Sequence, residues 1–204
     1  MNNTIKGIPI YLISAILANI LYYLFLIPAA FLYPGYSPFQ HTVSALGNTS
    51  KNPNGWFLFS ICLILIGVAL IPFFIGVKKW HESYPKVKNY MIVIQMLGFF
   101  DCFSMVMIGI SPTDTVSIQH NFWSLINFLC IYINLLLFII GLRNHPSYWK
   151  RLSIICAINF AFCGTFLFLM SVYSLFAYIF EHLTFIVVLG LISMIALNMY
   201  KEEL

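Results

Sequence analysis

Long apolar stretches dominate the chain, and six of them are long enough to cross a membrane as helices. A helix needs about 20 mostly apolar residues to span the hydrocarbon core of a bilayer. The six predicted spans are Ile8 to Leu32, Gly55 to Val77, Tyr90 to Ile110, Asn121 to Leu142, Arg151 to Val172 and Ile179 to Tyr200. A β-barrel would instead show alternating segments of about ten residues. The pattern predicts an all-α, six-helix transmembrane bundle that occupies residues 1–204 as one domain.

Composition agrees with this architecture. Of the 204 residues, 61% are hydrophobic and only 8% are charged, whereas soluble domains carry about 25% charged residues. We find no phosphate-binding glycine loop, no dinucleotide fingerprint and no basic patch, so nucleic acid and soluble nucleotide cofactors are not expected as partners. The first apolar stretch is longer than the 7–15 residues of a secretory signal, and we expect it to be retained.

The distribution of basic residues predicts the orientation of the bundle. Cytoplasmic loops of membrane proteins carry an excess of Lys and Arg. Nine of the ten basic residues lie before span one, between spans two and three, between spans four and five, or after span six, and only Lys51 lies on the opposite side. We therefore predict that both termini are cytoplasmic and that the protein resides in the cell or plasma membrane.

Most candidate polar side chains lie on the predicted outer side, at or near the ends of different spans. They are His41, Ser44, Asp114, His120, Glu181 and His182. Spans that return to the same face of a membrane can bring such ends together. His81 and His145 belong to inner loops and are expected to be solvated. The five cysteines all lie inside spans without CxxC spacing, which is typical of packing residues.

Asp101 lies near the middle of span three, about 15 Å from its outer end at 1.5 Å per residue. Insertion of an Asp at the centre of a transmembrane helix costs roughly 2.5–3.5 kcal/mol, and such residues generally face the bundle interior and mark function. Gly98 and Ser104 share its face of the helix. The alternative is a structural carboxyl that forms hydrogen bonds across helices.

Span four carries a polar stripe, since His120, Ser124, Asn127 and Asn134 share one helix face. Such a stripe either lines a cavity or supplies hydrogen bonds between helices. The long loop between spans one and two is interrupted by Pro and Gly, and its residues 39–46 predict a short helix capped by Gly47. A loop of this kind often covers a cavity.

Two segments carry a resemblance to a known family. Residues 43–47 (Val-Ser-Ala-Leu-Gly) are similar to an Ile-Ser-x-Leu-Gly element, and residues 109–114 (Gly-Ile-Ser-Pro-Thr-Asp) with a downstream His are similar to Gly-x-Phe-Pro-x-Asp. Both elements occur in the domain of unknown function 998 family of archaeal and bacterial six-span proteins; here Ser111 replaces the usual Phe. The family has no settled activity. The resemblance implies a six-span fold and points to Ser44, Gly47, Pro112, Asp114 and His120.

The first functional hypothesis is an enzyme that modifies or hydrolyses a membrane lipid at the outer side. His41, His120 and His182 would hold a zinc ion, since a catalytic zinc site has about three protein ligands and a water. Asp101 or Asp114 would orient a histidine or act as the general base. Ser44 would polarise a carbonyl. This inventory is similar to that of alkaline ceramidases and adiponectin-receptor-like hydrolases, although their His-x-x-x-His pair and seventh span are missing.

Two other hypotheses use the same residues differently. In a non-enzymatic lipid- or partner-binding protein, Asp114 and His120 would form hydrogen bonds to a headgroup. In a small proton-coupled transporter, Asp101 and the stripe from His120 to Asn134 would form the path, although transporters generally show broken helices or internal repeats.

Overall fold

The computed structural model describes residues 4–5, 7–142, 145, 148–172 and 176–201. Its helices are α1 (Ile10–Leu32), α2 (Trp56–Gly76), α3 (Lys78–Ser83), α4 (Lys88–Gly109), α5 (Ser117–Leu142), α6 (Lys150–Ser171) and α7 (Phe176–Lys201). Two short 3-10 helices cover Ser44–Gly47 and Pro85–Val87. Near the N-terminus, β1 (Thr4–Ile5) and β2 (Ile8–Pro9) form a small antiparallel hairpin.

The predicted all-α, six-span architecture is confirmed. Among the described residues, every helix except the short α3 is long and apolar enough to cross a membrane, as expected of a multi-pass membrane protein. The bounds differ most at α5, which begins at Ser117, four residues before the predicted Asn121. The first turn of α5 is polar, so a hydropathy pattern alone does not include it.

The six long helices form a ring in chain order. Each packs against the long helix before it and the one after it, and α7 closes the ring against α1. We call one end of the ring the polar end, where residues 33–55, residues 110–116 and the first turns of α7 lie. The opposite end, with residues 77–87, 145, 148 and 149, is called the basic end. Because successive long helices run in opposite directions, α1 begins and α7 finishes at the basic end.

A polar contact closes the ring between α1 and α7. The side-chain amide of Asn19 donates to the carbonyl of Leu189 and to the hydroxyl of Ser193, each at 2.7 Å. The Ser193 hydroxyl donates in turn to the carbonyl of Ala15 at 3.2 Å. Hydrogen bonds of this kind contribute to association between transmembrane helices, on average about 0.6 kcal/mol each.

Glycine allows α2 and α4 to approach closely. A Cβ added at Gly67 of α2 would lie 2.6 Å from the backbone carbonyl of Cys102 in α4. A Cβ added at Gly109 of α4 would lie 2.7 Å from the carbonyl of Ser60 in α2. Small residues at a helix interface bring two backbones into direct van der Waals contact, which is the principal attraction between helices in lipid.

Two local predictions are corrected at the loops. The predicted helix over residues 39–46 is instead a set of turns followed by the 3-10 helix Ser44–Gly47, because Gln40 and His41 both donate to the carbonyl of Ser37 and end that turn. His145 is buried, not solvated, and packs beside the rings of Trp80 and Tyr84. Burial lowers the pKa of His145 because it disfavours the charged imidazolium. The side chain of His81 lies outside the described residues.

Candidate functional site

A buried carboxylate holds the first loop on the polar end. Glu181, in the second turn of α7, is 3% exposed. Its Oε2 accepts the backbone N–H of Val43 at 3.2 Å, and its Oε1 accepts the N–H of Ser44 at 3.3 Å and the Ser44 hydroxyl at 2.8 Å. Both oxygens of the carboxyl group therefore accept hydrogen bonds from the loop. Glu181 therefore fixes the start of the Ser44–Gly47 helix.

The neighbouring His182 is also tied to this loop. Its Nε2 lies 3.0 Å from the hydroxyl of Tyr36 and 3.1 Å from the carbonyl oxygen of His41. The His41 ring stacks on the Tyr36 ring at 5.6 Å, and its Nδ1 lies 3.2 Å from the backbone nitrogen of Ser37. Burial raises the pKa of the Tyr36 phenol, and the Glu181 carboxylate raises it further. Tyr36 is therefore a neutral hydroxyl that links His182 to the loop.

Asp114 fastens the far end of the same loop. Its carboxylate accepts the backbone N–H and hydroxyl of Thr49, at 3.1 and 2.8 Å, and those of Ser50, at 3.0 and 2.9 Å. Slight desolvation acts to raise the pKa of Asp114, but these four hydrogen bonds outweigh it and hold the pKa well below its usual range. Asp114 is exposed, and four hydrogen-bond donors surround its carboxylate. We therefore interpret it as a structural clamp that holds the loop in place.

His120 begins the inward face of α5 and is 2% exposed. Its Nδ1 lies 2.6 Å from the carbonyl oxygen of Ser111. A carbonyl only accepts, so Nδ1 carries the proton and Nε2 carries a lone pair. Nε2 is shielded from solvent and has no hydrogen-bond partner among the described residues. His120 is thus a neutral imidazole whose basic nitrogen has no partner there.

A cavity of about 730 Å³ opens between these elements at the polar end. Its polar wall comprises Thr42, Ser44, Asn48, Thr113, His120, Asn121, Ser124 and Glu181, and its apolar wall comprises Ala45, Leu125, Phe128, Phe166 and Leu167. We call it the polar-end cavity. Asn121 and Leu125 are exposed on the outer surface of α5, so the cavity reaches that surface at the α5–α6 boundary.

Asp101 lies deeper and does not line the polar-end cavity. Its Oδ1 accepts the side-chain amide of Asn127 at 2.6 Å, and the same amide lies 3.3 Å from the hydroxyl of Ser104. Asp101 borders two small, mostly apolar cavities of about 30 and 10 Å³, of which the larger also contacts Asn134. These contacts connect α4 to α5, so Asp101 belongs to an interhelical hydrogen-bond network.

The comparisons with known proteins decide the family. The family described as Protein of unknown function (DUF998) matches residues 16–198, which is most of the chain. The chain belongs to the DUF998 family. No curated protein and no solved structure matches it.

The two segments that resembled the DUF998 family meet at the polar end. The backbone N–H of Thr113 donates to the carbonyl of Gly47 at 3.3 Å, which joins residues 109–114 to residues 43–47. A Cβ added at Gly47 would lie 2.6 Å from the Phe59 ring of α2, so this glycine permits the helix to seat against α2. Pro112 leads into the same contact. The family elements therefore build one wall of the polar-end cavity.

The predicted zinc site is not assembled among the described residues. They contain no group of three or more His, Cys, Asp and Glu side chains arranged to bind a metal. Of the three expected ligands, Nε2 of His182 faces Tyr36 and the carbonyl of His41, whereas His120 is oriented by Ser111. The helix ends converge, but the ring nitrogens are directed to different partners.

The structure divides the predicted catalytic residues into three groups. Ser44 and His120 line the polar-end cavity. Asp114 and His182 hold the loop beside it, and Asp101 lies in the separate network below. Glu181 was noted on the outer side but not predicted as a site residue; an acid among apolar residues at the start of a span was the available signal. Thr113, whose hydroxyl is buried and lacks a partner in the described chain, gave no signal.

Proposed function

We propose that this protein binds a membrane lipid in the polar-end cavity and hydrolyses an ester or amide bond beside the headgroup. The observation that carries the proposal is the mixed lining of the polar-end cavity, which combines apolar side chains with polar groups that include His120. Ligand sites combine mostly apolar walls with a few placed polar groups. A lipid has the matching division between acyl chain and headgroup.

The apolar wall supports entry of an acyl chain from the bilayer. Leu125 is 53% exposed on α5, while Phe128 and Phe166 are buried farther in, with ring centroids 4.7 Å apart. A chain lying along this wall passes from the exposed rim to the two buried rings without meeting a charged group. Burial of a CH₂ group from water contributes about 0.8 kcal/mol to the free energy of binding. An acyl chain that enters from the bilayer has already left water, so it gains only packing contacts with the wall.

His120 is the residue we assign as general base. A water molecule attacks the acyl carbonyl carbon while its proton passes to Nε2 of His120. The tetrahedral intermediate then collapses, the bond to the leaving alcohol or amine breaks, and that group takes the proton from His120. A general base contributes typically 10²–10⁴-fold to such a reaction. Because Nε2 is shielded, the step requires the side-chain rearrangement that is common on ligand binding.

Ser44 is assigned to the headgroup. Its hydroxyl proton is directed to Glu181, which leaves the lone pairs of Oγ to accept a hydrogen bond from a ligand. Thr113, with a buried hydroxyl that lacks a partner among the described residues, would donate to an oxygen of the same headgroup.

The test is turnover of a mixed membrane lipid extract by purified protein in liposomes, followed by mass spectrometry of released fatty acid. We expect wild type to release product, His120→Gln to lose at least about 100-fold in rate, and Ser44→Ala to lose affinity more than rate. Ser83→Ala, a serine at the basic end bonded to Trp80, is the matched control. Equal release by His120→Gln and wild type would overturn the assignment of the base.

Non-enzymatic lipid binding is the second candidate, and one observation favours it. His120 is oriented by a backbone carbonyl, whereas a general base in a hydrolase is commonly oriented by a carboxylate. In that case lipid would copurify with wild type, would be lost from Ser44→Ala, and no product would form. The two candidates share the cavity and differ only in turnover.

The proposed orientation places the polar-end cavity outside the cytoplasm and both termini inside it, because nine of the ten basic residues lie before span one, between spans two and three, between spans four and five, or after span six. Lys51→Cys and Glu82→Cys report the two ends, since the five native cysteines are all buried within the helices. A membrane-impermeant maleimide applied to intact cells should label Lys51→Cys only. Labelling of Glu82→Cys alone would reverse the orientation.

A further inference from the structure

The polar wall of the cavity also indicates which headgroup it accepts. We infer that the ligand carries an uncharged headgroup rich in hydroxyl groups, such as a glycerol or sugar, and that an anionic phosphate headgroup is rejected. The inference rests on the proposed lipid site but not on turnover. It follows from the charge of the wall and from the direction of its hydrogen bonds.

The wall offers a phosphate no cation. Glu181 lines the cavity, and none of the described residues that line it is Lys or Arg. Its three donors, the N–H groups of Val43 and Ser44 and the Ser44 hydroxyl, belong to neutral groups. These contacts therefore bring no positive charge to the wall. A phosphate placed beside Glu181 would meet an acidic side chain without a cation, which is unfavourable at an interface.

The hydrogen-bond direction of the wall favours a donor. Nε2 of His120 is an acceptor because Nδ1 holds the proton. Oγ of Ser44 is also an acceptor, because its own proton is directed to Glu181. A ligand that pairs with these groups must supply O–H or N–H donors. A phosphodiester anion has none, whereas a glycerol or sugar hydroxyl supplies one and also accepts from the Thr113 hydroxyl.

Unpaired buried atoms in the wall make binding of a hydroxyl-bearing headgroup favourable. Nε2 of His120 and Oγ1 of Thr113 both lack partners among the described residues, and a buried polar atom left unpaired is destabilising. A hydroxyl-bearing headgroup relieves that cost. A choline headgroup, which has no donor, leaves it in place.

Three lipids with matched acyl chains separate charge from donor content. Galactosyl diacylglycerol is uncharged with hydroxyl donors, phosphatidylglycerol is anionic with hydroxyl donors, and phosphatidylcholine has no hydroxyl donor. Binding is measured as occupancy by native mass spectrometry and as the shift in melting temperature in detergent. We expect the galactolipid to bind at least tenfold more tightly than either phospholipid.

Two variants test the charge argument without removing Glu181 from its bonds. Asn121→Lys adds a cation at the exposed rim of the cavity, whereas Gln119→Lys adds the same charge at an exposed position on the opposite face of α5. We expect Asn121→Lys to raise phosphatidylglycerol binding severalfold and Gln119→Lys to leave it unchanged. Thr113→Val should weaken galactolipid binding, and Thr165→Val on the outer surface of α6 should not.

The outcomes distinguish this inference from the proposed function. If phosphatidylglycerol binds wild type as tightly as galactolipid does, and Thr113→Val weakens both, the headgroup inference is overturned while the lipid site stands. If no lipid shows binding that depends on Thr113, the proposed lipid site itself is wrong, and the headgroup inference falls with it. Tighter binding of phosphatidylcholine than of galactolipid overturns the donor argument.

Discussion

The hydroxyl of Ser44 lies 2.8 Å from Oε1 of Glu181, although 137 residues separate the two in the chain. This bond joins the first loop to the last helix at the polar end of the helix ring. Glu181 also accepts the N–H groups of Val43 and Ser44, so one buried side chain positions the cavity wall that Ser44 supplies.

Replacing Glu181 by Gln should destabilise the protein. The glutamine amide presents a donor where the carboxylate presented an acceptor, so it opposes one of the N–H groups of Val43 and Ser44. We expect a loss of about 1–3 kcal/mol in the free energy of unfolding. The measurement is reversible unfolding in detergent micelles.

Glu82→Gln is the control for this variant. Glu82 forms an exposed ion pair with Lys78 at 3.1 Å, and exposed pairs contribute about 0–1 kcal/mol. If Glu181→Gln were no more destabilising than Glu82→Gln, the bonds from Val43 and Ser44 would not hold the loop.

Stability should depend on pH through Asp114. The hydrogen bonds from Thr49 and Ser50 lower the pKa of Asp114 in the folded protein despite the opposing effect of desolvation. The stabilisation is therefore complete above the unfolded pKa of about 3.9 and is lost as pH falls from that value through the folded pKa. Melting temperatures of wild type and Asp114→Asn should differ at neutral pH and converge in acid.

Hydrogen exchange provides a second measurement on the same clamp. In Asp114→Asn, the backbone amides of Thr49 and Ser50 lose a charged acceptor, so they should exchange faster at neutral pH than in wild type. Amides inside α2 should be unaffected. Unchanged exchange at both loop amides would contradict the assignment of Asp114 as a clamp.

Asp101 should matter for stability and not for lipid chemistry. Asp101→Asn keeps an oxygen to accept the Asn127 amide, so the expected loss is below about 0.6 kcal/mol, the average for one interhelical hydrogen bond. Asn127→Leu removes the donor and leaves a buried carboxyl unpaired, which should cost about 1–3 kcal/mol. Turnover per folded molecule should equal that of wild type in both variants. A large loss of turnover in Asp101→Asn with unchanged stability would return Asp101 to the candidate catalytic residues.

Gly67→Ala should destabilise the α2–α4 contact. Its added Cβ would lie 2.6 Å from the backbone carbonyl of Cys102, which cannot rotate away, and overpacking costs typically 1–3 kcal/mol. Gly190→Ala is the matched control, since nothing lies within 4 Å of its added Cβ. It should be neutral or stabilising by about 0.5–1 kcal/mol, because glycine is unfavourable within a helix. Unfolding measured for the two variants side by side tests the close approach.

The six helices were predictable from the sequence because each is encoded locally by a long apolar run. The inward face of α5 was predictable for the same reason, since His120, Asn127 and Asn134 recur at helical spacing and all three are buried. The sequence did not show whether this polar stripe lines a cavity or supplies hydrogen bonds between helices. His120 lines the polar-end cavity, whereas Asn127 forms an interhelical hydrogen bond. The difference depends on which neighbouring segment contacts α5 at each depth, since His120 bonds to Ser111 and Asn127 bonds to Asp101 of α4.

The site was only partly predictable because its key contacts join distant segments. Ser44 and His120 were identified as candidates and do line one cavity. The pairing of Ser44 with Glu181 and the use of Asp114 as a clamp depend on how the first loop folds over the bundle. No periodic pattern encodes that loop, and the carboxylates and hydroxyls that hold it in place are residue types that also occur in catalytic sites. Composition alone therefore favoured a zinc site that the described residues do not assemble.

The most direct test of the lipid site is photo-crosslinking with a galactolipid that carries a diazirine in its acyl chain close to the glycerol. After irradiation in liposomes and digestion, mass spectrometry locates the adducts. We expect them on the apolar wall, at Leu125, Phe128, Phe166 or Leu167, with competition by unlabelled galactolipid. Adducts confined to the outer surface, at residues such as Ile154 and Ile158, and insensitive to competition would contradict a lipid site in the polar-end cavity.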